Sequence, residues 1–137
     1  MINKTLKLLK NRNFILYVII GLSGATIDFL TYLVLHLIFN VQPAIASFIS
    51  VSFGIINNFL INSRHNFKVD DRLWFRFINF YTIGLGGALL SALLIFYMYN
   101  LLGIDATIAK LLTIPPVVLL QYFLNVKFSF KLKENKD

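Results

Sequence analysis

Four long apolar segments run along the chain, at roughly residues 14–39, 44–63, 77–101 and 106–126. Each reaches or exceeds the ~20 residues that a helix needs to cross the hydrocarbon core of a bilayer. Backbone polar groups find no partner in lipid, so a spanning segment is expected to be helical. The pattern therefore predicts an all-α membrane protein with four transmembrane helices.

The polar connectors between these segments differ in length. Residues 40–43 and 102–105 leave room only for tight turns, so they predict two hairpins whose helices run antiparallel. The middle connector, residues 64–76, reads RHNFKVDDRLWFR and is longer and charged. We therefore expect two helical hairpins joined by a charged connector.

Composition supports the membrane as the solvent. The 137 residues are 58% hydrophobic and 14% charged, whereas a soluble domain carries about 25% charged residues. The net charge of +7 would suggest nucleic acid as the partner of a soluble protein. Here the distribution of the charge matters more than its sum, and we expect no nucleic-acid partner. The chain has no cysteine, which excludes disulfide and thiol chemistry.

The basic residues gather on one side of the predicted bundle. Apart from Lys110, every lysine and arginine lies before the first span, in the middle connector or after the last span: Lys4, Lys7, Lys10, Arg12, Arg64, Lys68, Arg72, Arg76, Lys127, Lys131, Lys133 and Lys136. Short loops rich in lysine and arginine stay in the cytoplasm. We therefore expect a multi-pass protein of the cytoplasmic membrane with both termini in the cytoplasm.

The segment before the first span allows two interpretations. Ile2, Leu6 and Leu9 recur at helical spacing among lysines. The segment fits either a short amphipathic helix on the inner interface or a frayed basic anchor.

The chain repeats itself at an offset of 63 residues: IGLSGA at 20–25 returns as IGLGGA at 83–88. Polar and aromatic residues pair at the same offset: Asn62 with Asn125, Arg64 with Lys127, and Phe67 with Phe130. Two parallel two-helix repeats, about 14–68 and 77–131, are therefore predicted within one transmembrane domain that spans the chain. Such repeats are related by a pseudo-two-fold axis along the membrane normal.

Two charged residues inside the spans are the first functional candidates. Asp28 lies near the middle of the first span, where an ionisable group is costly and indicates function by default. The repeat has Ser91 at this position, so the symmetry breaks there. The alternative is a carboxyl group that is protonated or bonded to nearby backbone. Lys110 lies inside the outer end of the fourth span and either extends to water or reaches inward to Asp28 or to a ligand phosphate.

Amides and basic residues near the inner ends complete the candidate substrate-binding set. Three amides lie within the spans, where they either bond across helices or bind a ligand: Asn57, Asn58 and Gln121. Four residues lie at the inner interface, where they either anchor the helix ends or hold a phosphate: Asn62, Arg64, Asn125 and Lys127.

Three further features concern packing. Glycines on the first and third spans are expected to let those two helices pack closely or to make room for a ligand: Gly21, Gly24, Gly84, Gly86 and Gly87. Pro115 and Pro116 are expected to interrupt the fourth span with a kink. Aromatic residues near the inner ends are expected at the interface: Phe67, Trp74, Phe75 and Phe130.

Together these stretches resemble the GtrA-like family of four-helix membrane proteins. The residues that carry the resemblance are FILYVIIGLSGATIDF (14–29), NFLINSRHNF (58–67), RFINFYTIGLGGA (76–88), AK (109–110) and YFLNVKFSF (122–130). The chain departs from the usual pattern at 128–130, where an aromatic-Val-Phe ending is usual, and at Gln121, where asparagine or a smaller residue is usual.

The resemblance implies a role in cell-surface polysaccharide or teichoic-acid glycosylation. A polyprenyl-phosphate-linked monosaccharide would be flipped across the cytoplasmic membrane for a membrane glycosyltransferase acting outside. Some candidate residues match positions that the family tends to keep polar or basic: Asp28, Asn58, Arg64, Lys110, Asn125 and Lys127.

The sequence suggests neither an enzyme nor a cofactor or metal site, because it has no metal-ligand spacing, phosphate loop or nucleophile elbow. Four helices enclose little space, so a homo-oligomer is expected. Two alternatives to a flippase stay open. One is a small proton-coupled exporter resembling the small multidrug resistance proteins, in which Asp28 would exchange protons for cations although Lys110 would repel them. The other is a non-transporting scaffold that docks glycosyltransferases through residues 64–76.

Overall fold

Every regular element in residues 10–131, the part of the chain that this computed structural model describes, is helical. The helices are α1 (Arg12–Leu33), α2 (Pro43–Ile61), α3 (Leu73–Leu102) and α4 (Ala106–Leu124). Short π-helical turns extend three of them: Val34–Ile38 after α1, Asn62–Asn66 after α2 and Asn125–Ser129 after α4. Four helices long and apolar enough to span a membrane confirm the predicted fold class.

Three of the predicted spans are too short: the second and fourth at their C-terminal ends and the third at its N-terminal end. With its π-helical turn the second span continues to Asn66 and the fourth to Ser129, while the third begins at Leu73. The middle connector is therefore residues 67–72 rather than 64–76. Arg64 and Lys127 do not end the second and fourth spans. Their side chains are exposed, and the helical backbone continues through both residues.

Side-chain caps and proline explain where three helices begin. The Asn11 side chain accepts a hydrogen bond from the Asn13 N–H at 2.9 Å. The Asp105 carboxylate accepts one from the Thr107 N–H at 2.9 Å. Pro43 opens α2 at a position where the missing N–H costs nothing.

The turn after the first span and the turn after the third span end their helices in the same way. Asn40 and Gly103 adopt left-handed φ values of 54° and 65°, which asparagine and glycine tolerate best. The next residue in each turn then donates to a carbonyl six residues back: Val41 to Leu35 at 2.9 Å and Ile104 to Met98 at 3.0 Å. The residues of these two turns correspond at the offset of 63.

The prolines do not interrupt the fourth span as predicted, whereas the kink itself stays a prediction. Helix α4 continues through Pro115 and Pro116 from Ala106 to Leu124. Proline has a φ value that suits a helix, and each ring removes only one backbone donor. The remaining hydrogen bonds of the helix are enough to carry it through.

The chain divides into two compact units after Leu73, so α1 and α2 form the first unit and α3 and α4 the second. This division falls between the two predicted repeats, and the duplication itself stays a prediction. The proposed amphipathic segment, with Lys4, Lys7 and the terminal Lys133 and Lys136, lies outside the described residues.

Each unit buries a narrow stripe and exposes the rest of its apolar surface. Between 11% and 22% of the best apolar window in each span is buried inside the protein, so most apolar side chains are available to lipid. On α1 the buried stripe is Phe14, Tyr17, Ile20 and Gly24. This spacing of three and four residues marks one helical face.

Phe130 is not an interfacial aromatic residue as predicted. It is only 2% exposed, and its ring centroid lies 5.6 Å from that of Phe80 on α3. The π-helical turn after α4 directs this ring into the second unit. Trp74 and Phe75 are exposed, as an interfacial position requires.

Candidate functional site

In the first unit an asparagine side chain lies directly on a glycine of the neighbouring helix. A β-carbon at Gly24 would overlap the side-chain amide of Asn58. A β-carbon at Gly54 would lie 2.8 Å from the Gly24 carbonyl oxygen and 3.2 Å from the Asp28 Cβ. Two glycines therefore let α1 and α2 approach closely, which is the usual role of small residues between membrane helices.

The second unit forms the same contact with a longer amide. A β-carbon at Gly87 would overlap the side chain of Gln121, and the Gln121 Nε2 lies 3.4 Å from the Gly84 carbonyl oxygen as a long hydrogen bond. Gly24 and Gly87 thus pack on the next helix along the chain, and the predicted packing of the first span on the third stays a prediction. A β-carbon at Gly21 or Gly86 would meet no described atom within 4 Å.

The adjacent asparagines of α2 have different surroundings. Asn57 donates from Nδ2 to the Ser23 hydroxyl of α1 at 3.0 Å. The Asn58 Oδ1 is buried and has no hydrogen-bond partner in residues 10–131. Since buried polar atoms normally find a partner, this oxygen is a candidate acceptor for a ligand.

Three asparagines at four-residue spacing form a polar ladder on α2 and its π-helical turn. Asn62 donates to the Asn58 backbone carbonyl at 2.9 Å. Asn66 donates to the Asn62 Oδ1 at 2.9 Å and to the Asn13 carbonyl of the first unit at 3.0 Å. The Asn66 Oδ1 is buried and, like that of Asn58, has no partner within the described chain.

Asp28 extends this polar strip along α1. It follows Gly24 by one helical turn and is half-buried, with its Cβ against Gly54. Between Lys10 and Lys131 the structure shows no hydrogen bond or ion pair to its carboxylate. Within the described residues, the Asp28 carboxyl group is therefore not bonded to nearby backbone, which was one of the predicted alternatives.

At the corresponding position the second unit has a closed hydroxyl pair. Ser91 is buried, and its Oγ lies 3.1 Å from the Thr113 Oγ1. Thr113 donates its own hydrogen to the Lys110 carbonyl at 2.8 Å, so Ser91 is the donor in the pair. Both hydroxyl groups are thereby satisfied within the unit.

The C-terminal end of α4 is held by a buried arginine, Arg76, which in the sequence is one of several charges in the predicted middle connector. Arg76 is 6% exposed. It donates to the Ser129 carbonyl at 2.8 Å and to the Lys131 carbonyl at 3.2 Å. Ser129 in turn donates from Oγ to the Asn125 Oδ1 at 2.7 Å. The available signal was the offset of 63 residues, which pairs Arg76 with Asn13, the residue that meets Asn66 in the first unit.

The three predicted cationic residues of the site are exposed. Arg64 and Lys127 project from the π-helical turns after α2 and α4, and Lys110 lies one turn into α4. The Lys127 Nζ lies 5.3 Å from the ring centroid of Phe128, a cation–π distance. Exposed cations of this kind can bind an anion without a large desolvation cost.

The predicted site residues thus fall into two sets, one in each unit. The first unit brings together Asp28, Asn57, Asn58 and Asn62 between α1 and α2, with Arg64 exposed beyond them. The second unit places Gln121 and Asn125 between α3 and α4, with Lys110 and Lys127 exposed. In the part of the chain that the structure describes, no group of three His, Cys, Asp or Glu could hold a metal ion.

Comparison with known families decides the classification. Residues 16–130 match the family described as GtrA/DPMS, transmembrane domain. The chain belongs to the GtrA/DPMS family. A comparison with curated proteins finds no match.

Membership in the GtrA/DPMS family agrees with the resemblance seen in the sequence. Together with the four apolar helices it makes the chain a multi-pass membrane protein, and it associates the chain with the handling of lipid-linked sugars. The matched segment begins in α1 and ends at Phe130, so it contains every candidate site residue.

Proposed function

We propose that this GtrA/DPMS protein flips a polyprenyl-phosphate-linked monosaccharide across the cytoplasmic membrane, for cell-surface polysaccharide or teichoic-acid glycosylation. The observation that supports this function best is the open polar strip of the first unit. Asp28 is half-buried in an apolar span of 27 residues, one helical turn after Gly24. The Asn58 side chain of the neighbouring span packs on Gly24, and neither its buried Oδ1 nor the Asp28 carboxylate has a described partner.

The physical problem of flipping matches these groups. A sugar head group must cross a hydrocarbon core about 30 Å thick while its lipid tail remains in the core. Its hydroxyl groups lose water on the way, and a buried donor without a partner is costly. Carboxylate and amide oxygens at mid-span offer substitute partners.

The exposed cations suit the phosphate group of the same lipid. Arg64 and Lys127 stand on the inner helix ends, where arginine binds a phosphate through paired bonds and lysine as a point charge. Lys110 stands near the opposite end of α4 and would attract the phosphate to the other face. We place both termini in the cytoplasm because the basic residues flank those ends.

Other features of the proposal rest on the same reasoning. The protein acts without chemistry of its own and passes the lipid-linked sugar to a membrane glycosyltransferase on the other face. A homo-oligomer supplies the further helices that a groove open to lipid requires.

The test is movement of the lipid in proteoliposomes that contain only the purified protein. A polyprenyl-phosphate monosaccharide serves as the probe, and an enzyme added outside modifies the exposed sugar. Wild-type protein is expected to expose the inner pool. The variants Asp28→Asn and Lys110→Ala are expected to slow exposure by roughly tenfold or more, the size of one lost charged hydrogen bond.

Arg12→Ala is the matched charge control, because Arg12 is exposed and lies outside the site. It is expected to move the probe at the wild-type rate. Folded wild-type protein that leaves the inner pool protected would contradict the transport function and favour a scaffold for glycosyltransferases. Proton-driven efflux of a quaternary ammonium compound by the same vesicles would favour the exporter.

A further inference from the structure

The two units share their contacts but differ in which acceptors remain open. Residues that correspond at the offset of 63 form three pairs, each with its first-unit member first: Asp28 and Ser91, Asn58 and Gln121, Asn66 and Ser129. The amide contact with a glycine recurs in both units. The hydrogen bonds of these residues, however, differ between the two units.

In the first unit all three positions leave an oxygen without a partner. The buried Oδ1 atoms of Asn58 and Asn66 accept nothing in residues 10–131, and the same holds for the Asp28 carboxylate. Asn66 is only 7% exposed, so water has little access to it. The atoms without a partner are carboxylate and amide oxygens, which accept hydrogen bonds but cannot donate them.

In the second unit the corresponding side chains are bonded. Ser91 donates to Thr113, Gln121 donates to the Gly84 carbonyl, and Ser129 donates to Asn125. Each of these bonds stays within the unit: the first two join α3 to α4, and the third lies within the π-helical turn after α4. Ser91 and Ser129 are occupied with packing, and neither they nor Gln121 places a carboxylate in the second unit.

Building on the proposed function, we propose that the first unit recognises the sugar hydroxyl groups of the lipid-linked substrate, through the Asp28 carboxylate and the Asn58 Oδ1. The chemistry of the open atoms selects this part of the substrate. A sugar offers several O–H donors, whereas an ionised phosphate offers only acceptors. A phosphate therefore cannot bond to these oxygens and is left to the exposed cations.

The polar ladder continues from this site along α2 to Asn66. Asn66, Asn62 and Asn58 follow one another at four-residue spacing, which is about 6 Å per step along a helix. The open Oδ1 of Asn66 lies at the inner end of the ladder, and Asp28 lies beyond Asn58 on α1. The Asn62 Oδ1 already accepts from Asn66, so the acceptors without a described partner are those of Asn66, Asn58 and Asp28.

The experiment measures preference between two probes rather than transport. Purified protein in nanodiscs is offered polyprenyl-phosphate glucose and bare polyprenyl phosphate in competition, and the bound lipid is read by native mass spectrometry. Wild-type protein is expected to prefer the glucose lipid. Asp28→Asn and Asn58→Ala are each expected to reduce that preference by about tenfold, equivalent to one hydrogen bond to a charged or buried acceptor.

Ser91→Ala is the matched control, since Ser91 holds the position of Asp28 in the second unit and only packs. It is expected to keep the full preference. If a variant does not fold, deoxyglucose lipids offered to wild-type protein test the same bonds, and at least one deoxy position must weaken binding. Equal binding of both probes by wild-type protein, or an equal loss in Ser91→Ala and Asp28→Asn, would overturn the inference.

The outcome of this binding experiment is independent of the outcome of the transport assay. A sugar preference that depends on Asp28, in a protein that moves no lipid, supports the site and contradicts flipping. Lipid movement without any sugar preference supports flipping and contradicts the site.

Discussion

The side chain of Asn58 occupies the space that a β-carbon on Gly24 would need. This contact sets how closely α1 and α2 approach in the first unit, and it places the Asn58 side chain on Gly24, one helical turn before Asp28. Packing and the proposed recognition of the sugar are therefore coupled at one pair of residues. Substitution of either residue is expected to affect both.

Gly24→Ala is expected to lower the stability of the protein by about 1–3 kcal/mol, the usual cost of overpacking a tight contact. The added methyl group must displace the Asn58 amide, which is the end of a side chain and can turn away. Unfolding in mixed micelles, followed by circular dichroism, measures the loss. Gly21→Ala is the control and is expected to be neutral or stabilising, because its β-carbon meets no described atom within 4 Å.

Gly54→Ala is expected to cost more than Gly24→Ala. Its β-carbon would lie 2.8 Å from the Gly24 carbonyl oxygen, and backbone cannot rotate away as a side chain can. Helices α1 and α2 must therefore separate. The same unfolding assay compares it with Gly86→Ala, whose β-carbon is open, and an equal effect of the two would refute the close approach.

Arg76→Ala is expected to destabilise the second unit by roughly 1.5–3 kcal/mol, the range for hydrogen bonds to charged groups. It leaves the Ser129 and Lys131 carbonyls without their donor and frees the turn that carries Lys127. Arg76→Lys is expected to recover only part of the lost stability, because an ammonium group lacks the planar set of N–H donors of a guanidinium group. Arg12→Ala, at an exposed position, is the control. Comparable losses of stability at both positions would argue against a stabilising role of the Arg76 hydrogen bonds.

Thr113→Val is expected to have a small effect, about 0.5–1.5 kcal/mol, because hydrogen bonds between membrane helices are individually weak. Valine keeps the shape but leaves the buried Ser91 hydroxyl without its acceptor. Thr113→Ser keeps the hydroxyl and serves as the control in the same unfolding measurement. A Val variant as stable as the Ser variant would show that the pair contributes nothing measurable.

The predicted orientation can be tested with single cysteines, because the chain has none of its own. Gln42→Cys lies in the turn between α1 and α2, and Asp70→Cys lies in the middle connector; both positions are exposed. An impermeant thiol reagent added to whole cells is expected to label position 42 only. Label at position 70 before permeabilisation would mean that the inferred orientation is reversed.

The number and kind of helices follow from the sequence alone. Four uninterrupted apolar stretches of sufficient length leave helix as the only backbone state that satisfies its own hydrogen bonds in lipid, so the class did not depend on tertiary contacts. The helix ends were less certain, since π-helical turns carried α2 and α4 past the exposed Arg64 and Lys127.

The sequence also marked most of the polar residues now found between the helices, because a polar residue in an apolar span is conspicuous. It did not tell which of them are satisfied. Asn58 and Gln121 occupy corresponding positions, yet only the glutamine reaches a carbonyl, that of Gly84. The outcome depends on side-chain length and on how far apart the helices stand.

Burial was likewise decided by tertiary structure. Phe130 and Arg76 resemble interfacial residues in the sequence, but both are buried in the second unit. The rotation of each helix and the π-helical turn after α4 set the direction of these side chains, and no local pattern encodes that rotation. Hydrophobic length thus determined the membrane fold, whereas helix packing decided which oxygens lack a hydrogen-bond partner among the described residues.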